Sequence, residues 1–219
     1  MPPKRPNPSA TVDHRIRVGE QRRARTRARI FATALPVFAE KGPDAPVIDD
    51  FIKAAGIARG TFYNHFKTTD ELLVATSKWL EDELMRSIEI EIAGLTDPVQ
   101  RLATGVRLWL QRSRTDTVLC AFIVRNRLRG SLVEQTLAGD LRAGNREGQF
   151  SIPNVPAARD LVIGTIREAM SRMLDARVPR AYTDDVTRLI LRGLGLDAEA
   201  IEPLLATPLP AIRRKLPAC

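Results

Sequence analysis

"GIARGTFYNHF", residues 56–66, places four ring side chains (Phe62, Tyr63, His65 and Phe66) within five positions of a chain that is only 5% Phe, Trp and Tyr. A helical wheel separates them. Phe62 and Phe66 stand about 40° apart and share one face, Tyr63 lies at the border, and Thr61, Asn64, His65 and Lys67 spread over the other side. The two phenylalanines are expected to bolt a short helix to a core, and the polar set is expected to meet a partner.

The flanks extend this pattern. "VIDDFIKAAG" puts Ile48, Phe51, Ile52 and Ala55 on one face and ends at Gly56, a residue able to take the positive φ of a helix C-cap. Asp49 and Asp50 fall in its first turn, where carboxylates suit the helix dipole. Upstream, "RRARTRARIFATALPVFAEKG" (22–42) repeats Ile30, Ala34 and Phe38 at helical spacing. Pro36 predicts a kink there, because it cannot donate to the Ala32 carbonyl. Residues 1–21, with Pro2, Pro3, Pro6, Pro8 and Gly19, read as a flexible basic arm. Downstream, Thr69 is the expected cap of a long helix running to about Leu95.

The rest of the chain also reads as helix. Amphipathic stretches follow Pro98, cover 131–148, and span 157–176 and 183–195, while "VLCAFIV" (118–124) is read as a buried helix with strand still open. No sustained two-residue alternation and no repeat occurs. The fold class is all-α: an arm over 1–21, a three-helix helix-turn-helix domain over 22–68, and a larger helical domain over 69–219.

Charge placement points to a partner. Residues 1–67 hold 13 Lys/Arg against 6 Asp/Glu, whereas the remaining 152 hold 21 against 20. A basic segment on a near-neutral body fits a polyanion, nucleic acid ahead of an anionic membrane. Arg59, Gly60, Thr61, Tyr63, Asn64, His65 and Lys67, with Arg25 from the preceding helix, are the candidate DNA contacts: cations and hydroxyls for phosphate, amide and imidazole for base edges. Two histidines and two cysteines leave no metal-site spacing, and no cofactor is expected. No nucleophile–base signature or phosphate loop is present, so an all-α enzyme is a distant alternative and a non-specific architectural DNA binder a nearer one. The absence of a secretory leader or an ~18-residue apolar run predicts a cytoplasmic protein without a membrane partner.

"AAGIARGTFYNHFKTTDELL" (54–73) resembles the signature of the tetracycline-repressor (TetR) family of bacterial transcriptional regulators, and "FAEKG" (38–42) resembles the end of that family's first helix. The resemblance covers roughly residues 24–73. It implies a homodimer that reads a palindromic double-stranded operator and pairs through the helices near 157–176 and 183–195. It also implies a larger domain with a small-molecule pocket, whose effector releases the operator, making the chain a repressor. Trp109, Phe122, Met170 and Met173, with Arg125 for an anionic group, are the candidate pocket residues, and the many aliphatic residues favour an apolar effector. Two departures stand out: "APVI" replaces the Thr or Ser that often opens the second helix, and Asp49-Asp50 would repel phosphate.

Overall fold

The computed structural model describes residues 8–126 and 131–211, with side chains from Arg17 onward. The described residues form ten α-helices and no strand. They divide into two compact units, Met1–Leu73 and Val74–Cys219.

The first unit comprises α1 (Pro8–Lys41), α2 (Ile48–Ala55), α3 (Arg59–Tyr63) and the first turn of α4 (Thr69–Ile92). Its core is aromatic. Phe31, Phe38, Phe51, Phe62 and Phe66 are all buried, with Phe38 and Phe51 ring centres 4.9 Å apart and Phe31 and Phe66 5.7 Å apart. Ile30, Ala34 and Leu35 complete the α1 stripe, and Leu72 in the first turn of α4 is also fully buried. By this division the unit includes that turn.

Gly56 adopts φ 57°, and the Ile57 N–H donates to the Ile52 carbonyl at 3.2 Å, so the left-handed turn between α2 and α3 forms as the glycine allows. Thr68 rather than Thr69 caps α4: its Oγ1 accepts from the Glu71 N–H at 3.1 Å, while the Glu71 carboxylate accepts from the Lys67 N–H at 2.8 Å.

The expected arm is different in structure. Residues 8–21 are helical and continue into the packed part of α1, with Pro8 at the first position, where a missing N–H costs nothing. From Arg17 to Arg29 no side chain is buried, so this half is an extension of a helix whose core-forming part starts at Ile30. Residues 1–7, the rest of the predicted arm, lie outside the described residues. Pro36 sits within α1 and faces solvent, and the helix continues through it to Lys41, held by buried Leu35 and Phe38 on either side.

The second unit comprises the remainder of α4, α5 (Pro98–Thr115), α6 (Thr117–Asn126), α7 (Ser131–Arg146), α8 (Val155–Asp175), α9 (Tyr182–Gly193) and α10 (Ala198–Ala206). The 118–124 stretch is helical. α5 is central and packs against every helix from α6 to α10. Asp97, Asn154 and Asp197 cap α5, α8 and α10 through their side-chain oxygens. Arg107 on α5, only 7% exposed, binds Asp184 at 2.9 Å and the Leu204 and Thr207 carbonyls, which fixes α9 and the end of α10 to the centre. Phe150 lies so close to α7 that a Cβ on Gly144 would come within 2.3 Å of its ring.

Candidate nucleic-acid interface and effector cavity

α3 is anchored as the helical wheel requires. Phe62 and Phe66 are fully buried, and Tyr63 stands 46% exposed with its ring edge-on to Phe62 at 5.9 Å. Arg59, Gly60, Asn64 and Lys67 are exposed and Thr61 is half-buried. Arg59, Tyr63 and Lys67 come together at one open hollow of about 450 Å³, whose far wall is Val47, Ile48 and Asp49 from the start of α2 and whose floor includes Thr68 and Thr69.

The acidic pair of α2 is neutralised locally. Asp49 binds Arg59 at 2.5 Å, and Asp50 binds Lys41 at 2.7 Å. Asp50 also accepts from the Val47 N–H at 2.9 Å, which is the N3 half of a capping box whose other half Val47 has no side-chain oxygen to make. The Lys41 hydrogen bond, then the Val47 N–H, hold its carboxyl below the usual carboxylate range. The expected repulsion of phosphate by Asp49 and Asp50 is thus offset, although Arg59 is engaged at the same time.

Three other candidates sit differently. Arg25 is exposed on α1 and does not border the hollow. Its neighbours Arg23 and Arg27 are the arginines tied to the α3 end: Arg23 donates to the Asn64 carbonyl at 3.3 Å, and the Arg27 guanidinium lies 5.1 Å from the Phe66 ring centre. His65 is half-buried, with its Nδ1 shut from solvent and accepting no hydrogen bond among the described residues. Burial, then the positive charges of Arg23 and Arg27, push its pKa down. Sequence reading missed the parts of Val47 and Thr68; the Thr-x-x-Glu spacing of 68–71 was a legible signal for the second, whereas nothing marked the first.

The second unit holds a partly open cavity of about 80 Å³. Its wall is mainly apolar, with Leu102, Trp109, Ile123 and Met170 among the contributors, and the Trp109 indole N–H points at the Met170 sulfur at 3.4 Å. Of the candidate pocket residues, Trp109 and Met170 border it. Phe122, Met173 and Arg125 do not: Phe122 is buried on another face of α6, and Arg125 is exposed. Ile123, one residue on, is the α6 contributor, and the arginines at the cavity are Arg101 and Arg167. Arg167 binds Glu81 at 2.6 Å, across 86 residues of sequence. Arg101 binds Asp140 at 2.9 Å and Glu89 at 2.8 Å. Burial raises the Asp140 pKa against the opposing pull of Arg101. No group of His, Cys, Asp and Glu among the described residues could hold a metal ion.

The first unit is a helix-turn-helix fold. The model of "Bacterial regulatory proteins, tetR family" matches residues 30–76 of the chain. It is 37% identical over 79 residues to the HTH-type transcriptional regulator CymR of Pseudomonas putida, covering 36% of this chain and 39% of that one. The chain spans less than half the length of the first curated relatives it matches. A longer likeness, 25% identity over 183 residues, links it to the fatty acid metabolism regulator protein of Bacillus subtilis, covering 76% of this chain and 94% of that one. Among solved structures, RolR in complex with resorcinol aligns with a TM-score of 0.67 at 25% identity, over 88% of this chain and 99% of that one.

Proposed function

We propose that this protein is a ligand-responsive, DNA-binding transcriptional regulator, a repressor that leaves its operator when a small molecule fills the second unit. One observation carries the reading: α3 is bolted inward by Phe62 and Phe66 while Arg59, Tyr63 and Lys67 open on a single solvent-facing hollow. In that arrangement Lys67 and Tyr63 serve phosphate, Arg59 reaches phosphate or a guanine edge after leaving Asp49, and exposed Val47 offers an apolar contact where a hydroxyl is more usual. Thr61, Asn64 and His65 extend the reading surface, Gly60 allows close approach, and Arg25 is available to backbone phosphates. The second-unit cavity, and a structural relative solved with resorcinol, support effector control.

One five-residue helix reads few bases, so a dimer on a palindromic operator is the productive form. The outer faces of α8 and α9 support pairing there: Leu161 is 43% and Leu189 65% exposed. A role on chromosomal DNA implies a cytoplasmic protein. Among the described residues, no helix is long and apolar enough to cross a membrane.

Gel-shift titration of DNA from upstream of the gene against a scrambled duplex, at two salt concentrations, tests the reading. Preference for the former supports a specific regulator; equal binding of both identifies a non-specific architectural protein instead. Light scattering at micromolar concentration checks the dimer, which a monomer result would contradict.

A further inference from the structure

The cavity of the second unit is kept open at a cost in helix stability. Gly105 borders it from the middle of α5, an 18-residue helix. Alanine is the better helix former at such a position. Nothing packed nearby demands glycine, because an added Cβ would come no closer than 3.9 Å to Ile88 or Ile92. Gly144 makes the contrast, since Phe150 occupies the place of its missing side chain. Over Gly105 there is room for an occupant.

The charges around that room are already matched. All five N–H groups of Arg101 are directed at acceptors: Asp140, the Ile92 and Leu95 carbonyls, and both oxygens of Glu89. Arg167 is held by Glu81 and the Ile123 carbonyl. At the cavity, Glu81 and Asp140 thus match Arg101 and Arg167, with Glu89 outside the lining as a further partner of Arg101, and an entering anion would find both guanidiniums already engaged. One acceptor is left over. Asp140 uses Oδ1 for Arg101, while its Oδ2 accepts no hydrogen bond among the described residues, on a side chain only 17% exposed that borders the cavity. The two ion-pair systems start from Glu81 and Glu89, about 12 Å apart along α4, and the wall between them is apolar.

Size sets the last limit. A dry apolar cavity of about 150 Å³ admits benzene. This one has about 80 Å³, is partly open, and is flanked by the adaptable thioethers of Met85 and Met170, so one ring is the largest body that its interior takes in whole. We propose that the cavity receives a small, uncharged molecule, no larger than one substituted ring, whose hydroxyl or N–H donates to Oδ2 of Asp140. This rests on the reading of the chain as effector-responsive, and it excludes carboxylates and long acyl thioesters.

Phenol, benzoate and palmitoyl-CoA are the probes, titrated into the full chain by calorimetry with Trp fluorescence in parallel. Phenol is expected to bind saturably and at least about tenfold more tightly than benzoate, the worth of a hydrogen bond to a charged group; palmitoyl-CoA is expected not to bind. Gly105→Leu fills the cavity and is expected to lose phenol binding without lowering the melting temperature. Asp140→Asn is expected to shrink the preference for phenol over benzoate, a ratio that a purely structural defect leaves alone. Benzoate or palmitoyl-CoA binding as tightly as phenol, no saturable phenol signal, or retained phenol affinity in Gly105→Leu each overturns the assignment. A gel shift on the same samples separates the two readings: saturable phenol binding by a chain that never binds duplex removes the regulator role and leaves the cavity assignment standing.

Discussion

The two units put their chemistry on opposite sides of their cores. The first is closed by phenylalanine rings, and its candidate contacts stand outside, on the far side of the short helix and following turn that supply Phe62 and Phe66. The second is built mainly from aliphatic side chains, and its candidate site is a hole inside, bordered by charges that neutralise one another. A surface that meets DNA needs a rigid support and unspent polar groups. A pocket for a small molecule needs spare volume, which is created by leaving something out.

The largest test of this contrast is Phe62→Ala. Removing a fully buried ring from the aromatic core is expected to cost about 3–5 kcal/mol, unfolding the first unit in a chemical melt before the second. Coincident loss of both units would show that their cores are not independent.

Two of the second unit's glycines, Gly144 and Gly105, sharpen the comparison between filled and open space. Gly144→Ala is expected to destabilise by about 1–3 kcal/mol, because the new methyl collides with the Phe150 ring. Gly105→Ala is expected to raise stability by up to about 1 kcal/mol, since its methyl meets only ordinary contacts at 3.9 Å. Thermal melts of the two variants should therefore move in opposite directions.

On the outer face, Asp49→Asn is expected to change stability by less than about 1 kcal/mol, since the Asp49–Arg59 pair is more than half exposed. It should nonetheless tighten duplex binding by releasing Arg59. Lys67→Ala should weaken binding to all sequences and lower the slope of log affinity against log salt by about 1. An unchanged slope would remove Lys67 from the phosphate contacts.

The smallest effect concerns His65. Its pKa in the folded chain is depressed, first by burial and then by Arg23 and Arg27, so the unfolded state takes up the proton first as pH falls. Stability is therefore expected to be full above about pH 6.5 and to decline as pH drops below that value. His65→Gln should flatten the difference between melts at pH 7.5 and 5.5, whereas a difference that persists would place the titrating group elsewhere.

Much of the first unit is legible in the sequence because its determinants are local. The wheel positions of Phe62 and Phe66, the left-handed turn at Gly56 and the stripe from Ile30 to Phe38 all depend on residues a few positions apart. The local signals also mislead where neighbours intervene. Proline and glycine suggested an irregular arm up to residue 21, yet a helix propagates back from Ile30 to Pro8. Asp49 and Asp50 looked repulsive to phosphate until Arg59 and Lys41 were seen to reach them.

By itself, then, the sequence determined an all-helical chain, a buried and an exposed side to the segment 59–66, of which 59–63 is helix, and a concentration of positive charge in the first third. Tertiary structure alone decided which arginine serves which carboxylate, which residues border the cavity, and that Ile123 rather than Phe122 faces it. The physical reason is range. Helix periodicity and turn conformation are set within a few residues, whereas an ion pair such as Glu81–Arg167 or the open space over Gly105 exists only once helices distant in sequence have packed.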